Sequence, residues 1–272
     1  MRWVSTIIVA GLAASAASGQ VVYSGSGASA ASIQTTVDQF RSDLGVLNPN
    51  VAGSFGSGRR EINWDGVPDS FAAPNSLPAD FFNVNSPRGL VLSTGGPGFQ
   101  VSADSSNPTM TPTRFDNIAA GMSSQFAPFS AERLFTSLGA TSYEVHFFIP
   151  GSATPALSRG FGAVFCDVDS EDISKIECYD ASDALIFSGF VPAITGQQTF
   201  SFLGVSFSDA MIARVRVTAG SAALGSGGVE GFPNVDLVVL DDFVFGEPVP
   251  APGAGVVLGL AGLAALNRRR KR

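Results

Sequence analysis

The chain has 272 residues, 45% of them hydrophobic and only 14% charged, with 23 acidic side chains against 16 basic ones. The apolar content supports a sizeable core and excludes global disorder, while the charged fraction falls well below the roughly 25% of ordinary soluble domains. A single histidine excludes a His-rich metal site, and 31 glycines with 16 prolines favour turns over long helices.

In chain order, residues 1–19 read as a cleavable signal peptide. Arg2 supplies the positive start, Val4 to Leu12 the short apolar stretch, and Ala17-Ser18-Gly19 the small residues before a cut at Gln20. Residues 29–44 predict a short amphipathic helix. Ile33, Val37, Phe40 and Leu44 recur at helical spacing, Ser29 or Ser32 caps the start, and Gly45 stands at the C-terminal cap. Gly25-Ser26-Gly27 reads as a linker. Residues 48–130 are broken every few positions by Gly, Pro, Asn and Ser, the pattern of short strands joined by long loops. From Tyr143 onward, seven strands are predicted at 143–149, 160–168, 174–179, 184–190, 199–207, 212–219 and 235–245. Such spacing predicts a mainly β fold, an antiparallel β-sandwich or jelly roll formed by one domain over residues 20–246.

The C-terminus, 247–272, carries a second signal. Pro248-Val249-Pro250-Ala251-Pro252 is a stiff element, an apolar run follows over 253–266, and Arg268-Arg269-Arg270-Lys271-Arg272 closes the chain. As a helix the run spans about 21 Å, short of the ~30 Å hydrocarbon layer, so flanking side chains and local thinning must make up the difference. The terminal cations hold that end in the cytoplasm. These three parts in order resemble a PEP-CTERM sorting signal. The resemblance implies that an exosortase-type membrane protease recognises Val249, Pro250, Ala251 and Pro252 and processes the tail, with Arg268, Arg269 and Arg270 as its basic end; Ala251 stands where the usual motif has Glu. The stretches Gly58 to Gly66, Arg159 to Phe165 and Val238 to Phe243 also resemble a β-rich domain found with such tails, for which no activity is implied. The closing Asp-Asp-aromatic strand is similar to those of jelly-roll carbohydrate-binding modules.

With Arg2 and the five terminal cations removed, 10 basic residues face 23 acidic ones, a net of about −13. An acidic body excludes nucleic acid as a partner and suits divalent cations. The stretch from Asp167 to Asp172 places four carboxylates at a strand end, where Asp167 and Asp169 are candidate calcium ligands or else a solvated acidic turn. Asp241 and Asp242 lie in an apolar strand and point to opposite faces if the alternation is regular. At least one is then buried and requires a partner, for which Arg214 or Arg216, backbone amides or a metal are the candidates. Cys166 and Cys178 are equidistant from Asp172. A hairpin centred there predicts a disulfide worth about 3 kcal/mol in an oxidising compartment, the alternative being two buried free thiols. His146 alternates with core residues in a strand and reads as a packed or surface side chain, without a nucleophile-elbow sequence beside it. Trp64, Phe81, Phe82, Phe126 and Phe129 either fill the core or offer rings for sugar stacking.

The expected protein is exported, non-catalytic and structural or adhesive, placed at the cell surface or in the extracellular matrix after a transient stay in the inner membrane. Its expected partners are the export machinery, an exosortase-type protease, the membrane and extracellular polysaccharide. A calcium-supported carbohydrate-binding module is the alternative. A secreted hydrolase using carboxylates such as Asp167 and Asp241 stands behind it.

Overall fold

The structure is a computed structural model, described here over residues 19–227, 230–231 and 235–251. Residues 1–18 of the expected signal peptide (1–19), the apolar run 253–266, Pro252, Arg268, Arg269 and Arg270 lie outside the described residues. Fourteen strands are present among those described: β1 Gln20–Gly27, β2 Arg59–Ile62, β3 Leu90–Thr94, β4 Gly98–Val101, β5 Phe135–Leu138, β6 Ser142–Phe147, β7 Ala156–Leu157, β8 Gly160–Cys166, β9 Lys175–Tyr179, β10 Leu185–Phe190, β11 Phe200–Phe207, β12 Arg214–Thr218, β13 Val239–Gly246 and β14 Val249–Pro250. The helices are few: α1 Ala30–Leu44 and two single turns, α2 Phe81–Val84 and α3 Met122–Gln125.

All the paired strands are antiparallel. One sheet runs β1-β11-β8-β13-β5-β4 with β2 also on β13, the other β10-β9-β12-β6-β3, and β14 pairs with β7. The two larger sheets face each other across a core rich in phenylalanine, including Phe161 and Phe165 from β8, Phe243 and Phe245 from β13, and Val145 and Phe147 from β6. This is the sandwich-like architecture expected, and each of the seven predicted strands is found.

The two sheets read differently in sequence for a physical reason. In the second sheet β6 alternates half-buried and buried residues, because one face meets solvent. In the first sheet β8, β11 and β13 are buried along their whole length. Their outer face is covered by α1, whose Ile33, Val37, Phe40 and Leu44 pack on Val164, Phe200, Phe202 and Val244. Farther along that face, Phe115, Phe126 and Leu134 pack on Cys166 and Val239. A Cβ at Gly162 would stand 2.8 Å from the rings of Phe40 and Phe202, so glycine is what lets the helix lie this close.

Two expectations are corrected. The Gly-Ser stretch taken for a linker is the end of β1, paired with β11 from Gln20↔Phe207 to Gly27↔Phe200. Its glycines serve the approach of α1, since a Cβ at Gly27 would come within 2.2 Å of Ser32. The second correction concerns the disulfide. β8 and β9 do not form a hairpin; the segment between them crosses from one sheet to the other. Cys166 pairs in register with Phe200 and Val239, and Cys178 with Phe187 and Val215. One side chain joins the outer cluster and the other the inter-sheet core. Both thiols are free and buried, and burial pushes both well above their ordinary range. Thiol titration without reductant should therefore find no reactive cysteine in native protein and two per chain in guanidinium. Finding none after unfolding would restore the disulfide.

Candidate functional site

The Asp241–Asp242 pair sits on a β-bulge. In the β13–β8 ladder Leu240 faces Phe165 and Phe243 faces Ala163, so the two aspartates together oppose a single position. On its other side β13 changes partner at the same place, from β5 at Leu240↔Phe135 to β2 at Phe243↔Ile62. The bulge breaks the expected alternation and brings both carboxylates to Ser130. Asp241 Oδ2 accepts the backbone N–H groups of Phe129 (2.5 Å) and Ser130 (3.1 Å). The Ser130 hydroxyl donates to Asp241 Oδ1 at 3.2 Å and Asp242 Oδ1 at 2.7 Å. The Asp241 carbonyl, displaced from the ladder, accepts the Trp64 indole N–H at 2.7 Å.

The counter-charge is Arg41 of α1, 2.8 Å from Asp242 and 3.1 Å from Glu61. Of the expected alternatives, backbone amides are what Asp241 meets, whereas Arg214 and Arg216 lie on the exposed face of the second sheet and pair with Glu144 at 2.7 and 3.0 Å. Burial raises the pKa of Asp241 well above the carboxylate range and the neighbouring Asp242 charge adds to it. Burial also raises Asp242, against the opposing pull of Ser130 and Arg41.

Arg41, Glu61 and Asp242 line a cleft of about 310 Å³ together with Leu47, Asn48, Asn50, Asn63, Arg88 and Ser130. Arg88 donates to the Glu61 carbonyl at 2.8 Å and lies over the Phe82 ring. Burial, followed by the charge of Arg60, lowers its pKa to about 10. Arg60 itself forms a fully buried ion pair with Glu247, at 2.5 and 2.9 Å. Glu247 further accepts from Asn48 Nδ2 at 2.8 Å and the Phe55 N–H at 3.2 Å. The sequence marked neither member of this pair as a site.

Asp167 and Asp169 are elsewhere, so the four predicted calcium ligands do not converge. Among the described residues no group of three or more Asp, Glu, His or Cys side chains is placed to hold a metal. Asp167 is buried with a positive φ of 72°. Its Oδ2 accepts from Gln125 Nε2, and its Oδ1 has no partner. Asp169 accepts the Gly196 N–H at 2.9 Å, and Asp236 the N–H groups of Asp169 and Ser170 at 3.3 and 3.0 Å. Burial pushes Asp167 up to about 7, with Gln125 opposing and the charges of Asp169, Glu230 and Asp236 adding.

In the fold the Asp167 carboxyl keeps its proton to about pH 7, whereas the unfolded chain releases it near 4. Stability from this group is therefore fully present at acid pH and is lost as pH rises through that interval, by up to about 4 kcal/mol. Asp167→Asn should raise Tm at pH 8 and flatten the fall of Tm between pH 5 and pH 8. A profile parallel to wild type would refute the assignment.

His146 lies half-exposed on β6, with Ser93 Oγ 3.0 Å and Glu144 Oε2 3.6 Å from the same ring nitrogen, Nε2. A Ser-His-acid relay needs the hydroxyl and the acid on opposite nitrogens, and this arrangement does not provide that. The aromatics fill the core: Trp64, Phe81, Phe82 and Phe126 are buried, and Phe129 packs half-buried against the α1 cluster. Of the stretch expected to be a sorting motif, Val249 and Pro250 form β14, paired with Leu157 and Ala156, and the half-buried Ala251 follows. No helix among the described residues is long and apolar enough to cross a membrane. Comparison with protein-family models, with curated proteins and with solved structures finds no match to this chain.

Proposed function

We propose that this is an exported, non-catalytic surface or matrix protein: a β-sandwich delivered by an N-terminal signal and released or retained through a PEP-CTERM-like tail that an exosortase-type protease processes. The observation that supports it best is the way the chain leaves the sandwich. Glu247 is locked beneath the surface by Arg60 and Asn48, β14 is pinned to β7, and the apolar run and basic end follow directly in the sequence. The described fold thus reaches into the proposed tail as far as Val249 and Pro250, so the recognition element starts on the body itself. Mass spectrometry of the protein from its native host tests this reading. The expected mature form begins at Gln20, lacks 268–272, and accumulates outside the cytoplasm, with tail removal lost when the protease is absent. Intact Met1 and Arg272 on cytoplasmic material would refute it.

A second reading keeps extracellular polysaccharide as a ligand. It rests on the polar cleft of Arg41, Glu61, Asn63 and Arg88, whose paired donors and acceptors suit hydroxyl groups. A glycan array run with and without chelator tests it. Chelator-independent binding lost in Arg88→Ala supports the cleft, and no binding to any glycan removes it.

A further inference from the structure

Resting on the tail reading above, we propose that the uncharged loop 46–57 is a lipid-facing surface that seats the domain on the bilayer while the tail is still attached. Val46, Leu47, Val51 and Phe55 on this loop are 73, 55, 50 and 50% exposed. Apolar side chains scattered singly over a surface are ordinary, but these four share one loop. No Asp, Glu, Lys or Arg occurs from Val46 to Gly58, in a body that is otherwise strongly acidic. An acidic surface is repelled by anionic headgroups. The loop itself brings no charge to them, although Leu47 at its start also borders the cleft of Arg41, Glu61, Arg88 and Asp242.

The loop is rigidly placed. Val46 and Asn48 are hydrogen-bonded to Arg59 at 2.8 and 2.9 Å, and the Gly53 N–H donates to the Pro150 carbonyl at 2.8 Å. Phe55 lies over the Arg60 guanidinium, 5.3 Å from ring centroid to cation. The same loop touches the point of exit, since Glu247 is bonded to both Asn48 and the Phe55 N–H. After β14 only Ala251 and Pro252 precede the apolar run at Gly253, a reach of about 10 Å from Pro250. The headgroup layer is itself about 5–8 Å deep on each side. With the run in the bilayer, the pole of the sandwich that carries the exit is held at the headgroups, and this loop is part of that pole. Interfacial apolar side chains bind there by burying area at the acyl boundary.

Phe190 supplies a matched control. It is as exposed as Phe55 but lies across the second sheet beside Lys175. Lys175 pairs with Thr218 and Thr218 with Ser142, at the end of β6 remote from Phe147 and Pro150. The full chain carrying Phe55→Trp or Phe190→Trp is reconstituted in phosphatidylethanolamine–phosphatidylglycerol vesicles with brominated acyl chains. Co-flotation of protein with vesicles and tryptophan quenching are both read. The expected result is co-flotation of both variants with quenching several-fold stronger for Phe55→Trp, reduced again by adding Val51→Asp. Co-flotation with equal quenching overturns this inference and leaves the tail reading standing, whereas no co-flotation overturns both. A Phe55→Trp emission that is shielded yet unquenched and varies with protein density assigns the loop to a second copy of the chain, and also overturns it.

Discussion

Glu247→Ala is expected to lower unfolding stability by about 3–5 kcal/mol, the range found when one member of a buried ion pair is removed. Both side chains of the Arg60–Glu247 pair are 0% exposed, and two nitrogens of the guanidinium reach the carboxylate at 2.5 and 2.9 Å. Removing the acid leaves Arg60 with neutral partners, the carbonyls of Pro49, Pro87 and Gly53. It also leaves that cation facing Arg88, whose pKa its charge already depresses. Asn48 Nδ2 and the Phe55 N–H lose an acceptor as well. The decisive comparison is with the double variant Arg60→Met/Glu247→Leu. If the loss reflects an uncompensated buried charge, the double variant recovers most of it, because well-packed apolar replacements of such pairs are often neutral. Urea unfolding checks both, and a change in Cm for Glu247→Ala equivalent to less than 1 kcal/mol would refute the account. Because this pair ties β2 to the start of the tail, the same variant should make the chain near Ala251 more open to proteolysis.

The parts of this fold legible in sequence are those governed by local periodicity. The stripe Ile33, Val37, Phe40, Leu44 is complete within one helix, and all four are buried as the spacing requires. Strands β6, β9 and β12 alternate because their sheet has a wet face, and β8, β11 and β13 are long apolar runs because theirs has none. The strands of residues 48–130 are four or five residues long, too short for either pattern to emerge from the turns around them. β1 was hidden for a different reason: its Gly-Ser composition answers to the helix packed across it. At the candidate site, side-chain placement answers to geometry that sequence spacing does not carry. Equal spacing around Asp172 suggested a hairpin, but a chain that crosses between sheets preserves the spacing and abolishes the pairing. Regular alternation separated Asp241 from Asp242, but one bulge reunited them. Arg60 and Glu247 are 187 positions apart, and nothing local in either segment announces the other.

Trp64→Ala is the second large expected loss, about 3–5 kcal/mol for truncating a buried indole, with the loss of an acceptor's partner added to it. Trp64 is 1% exposed and joins the strands that meet at the bulge. Its ring stacks on Phe135 of β5 at 4.1 Å and 7°, and meets Phe243 of β13 edge-on at 5.0 Å. Phe82 of α2 meets it edge-on at 5.4 Å. Each such aromatic pair contributes about 0.5–1.5 kcal/mol beyond its buried area. The indole N–H supplies the hydrogen bond that the Asp241 carbonyl lacks in the ladder, and a buried carbonyl left unmet costs about 1–3 kcal/mol. Trp64→Phe separates the two contributions. It keeps a ring against Phe135 and removes the donor, so its expected loss is smaller, near the hydrogen-bond figure. The two variants should also differ in where the structure loosens. Amide exchange in Trp64→Phe should rise chiefly at the bulge and at Phe129 and Ser130, whose N–H groups hold the Asp241 carboxylate. In Trp64→Ala it should rise through β5 and the adjoining part of β13 together. Equal stability of Trp64→Phe and wild type would mean that the bulge does not depend on the indole, and that Phe129, Ser130 and Arg41 suffice to hold the paired aspartates.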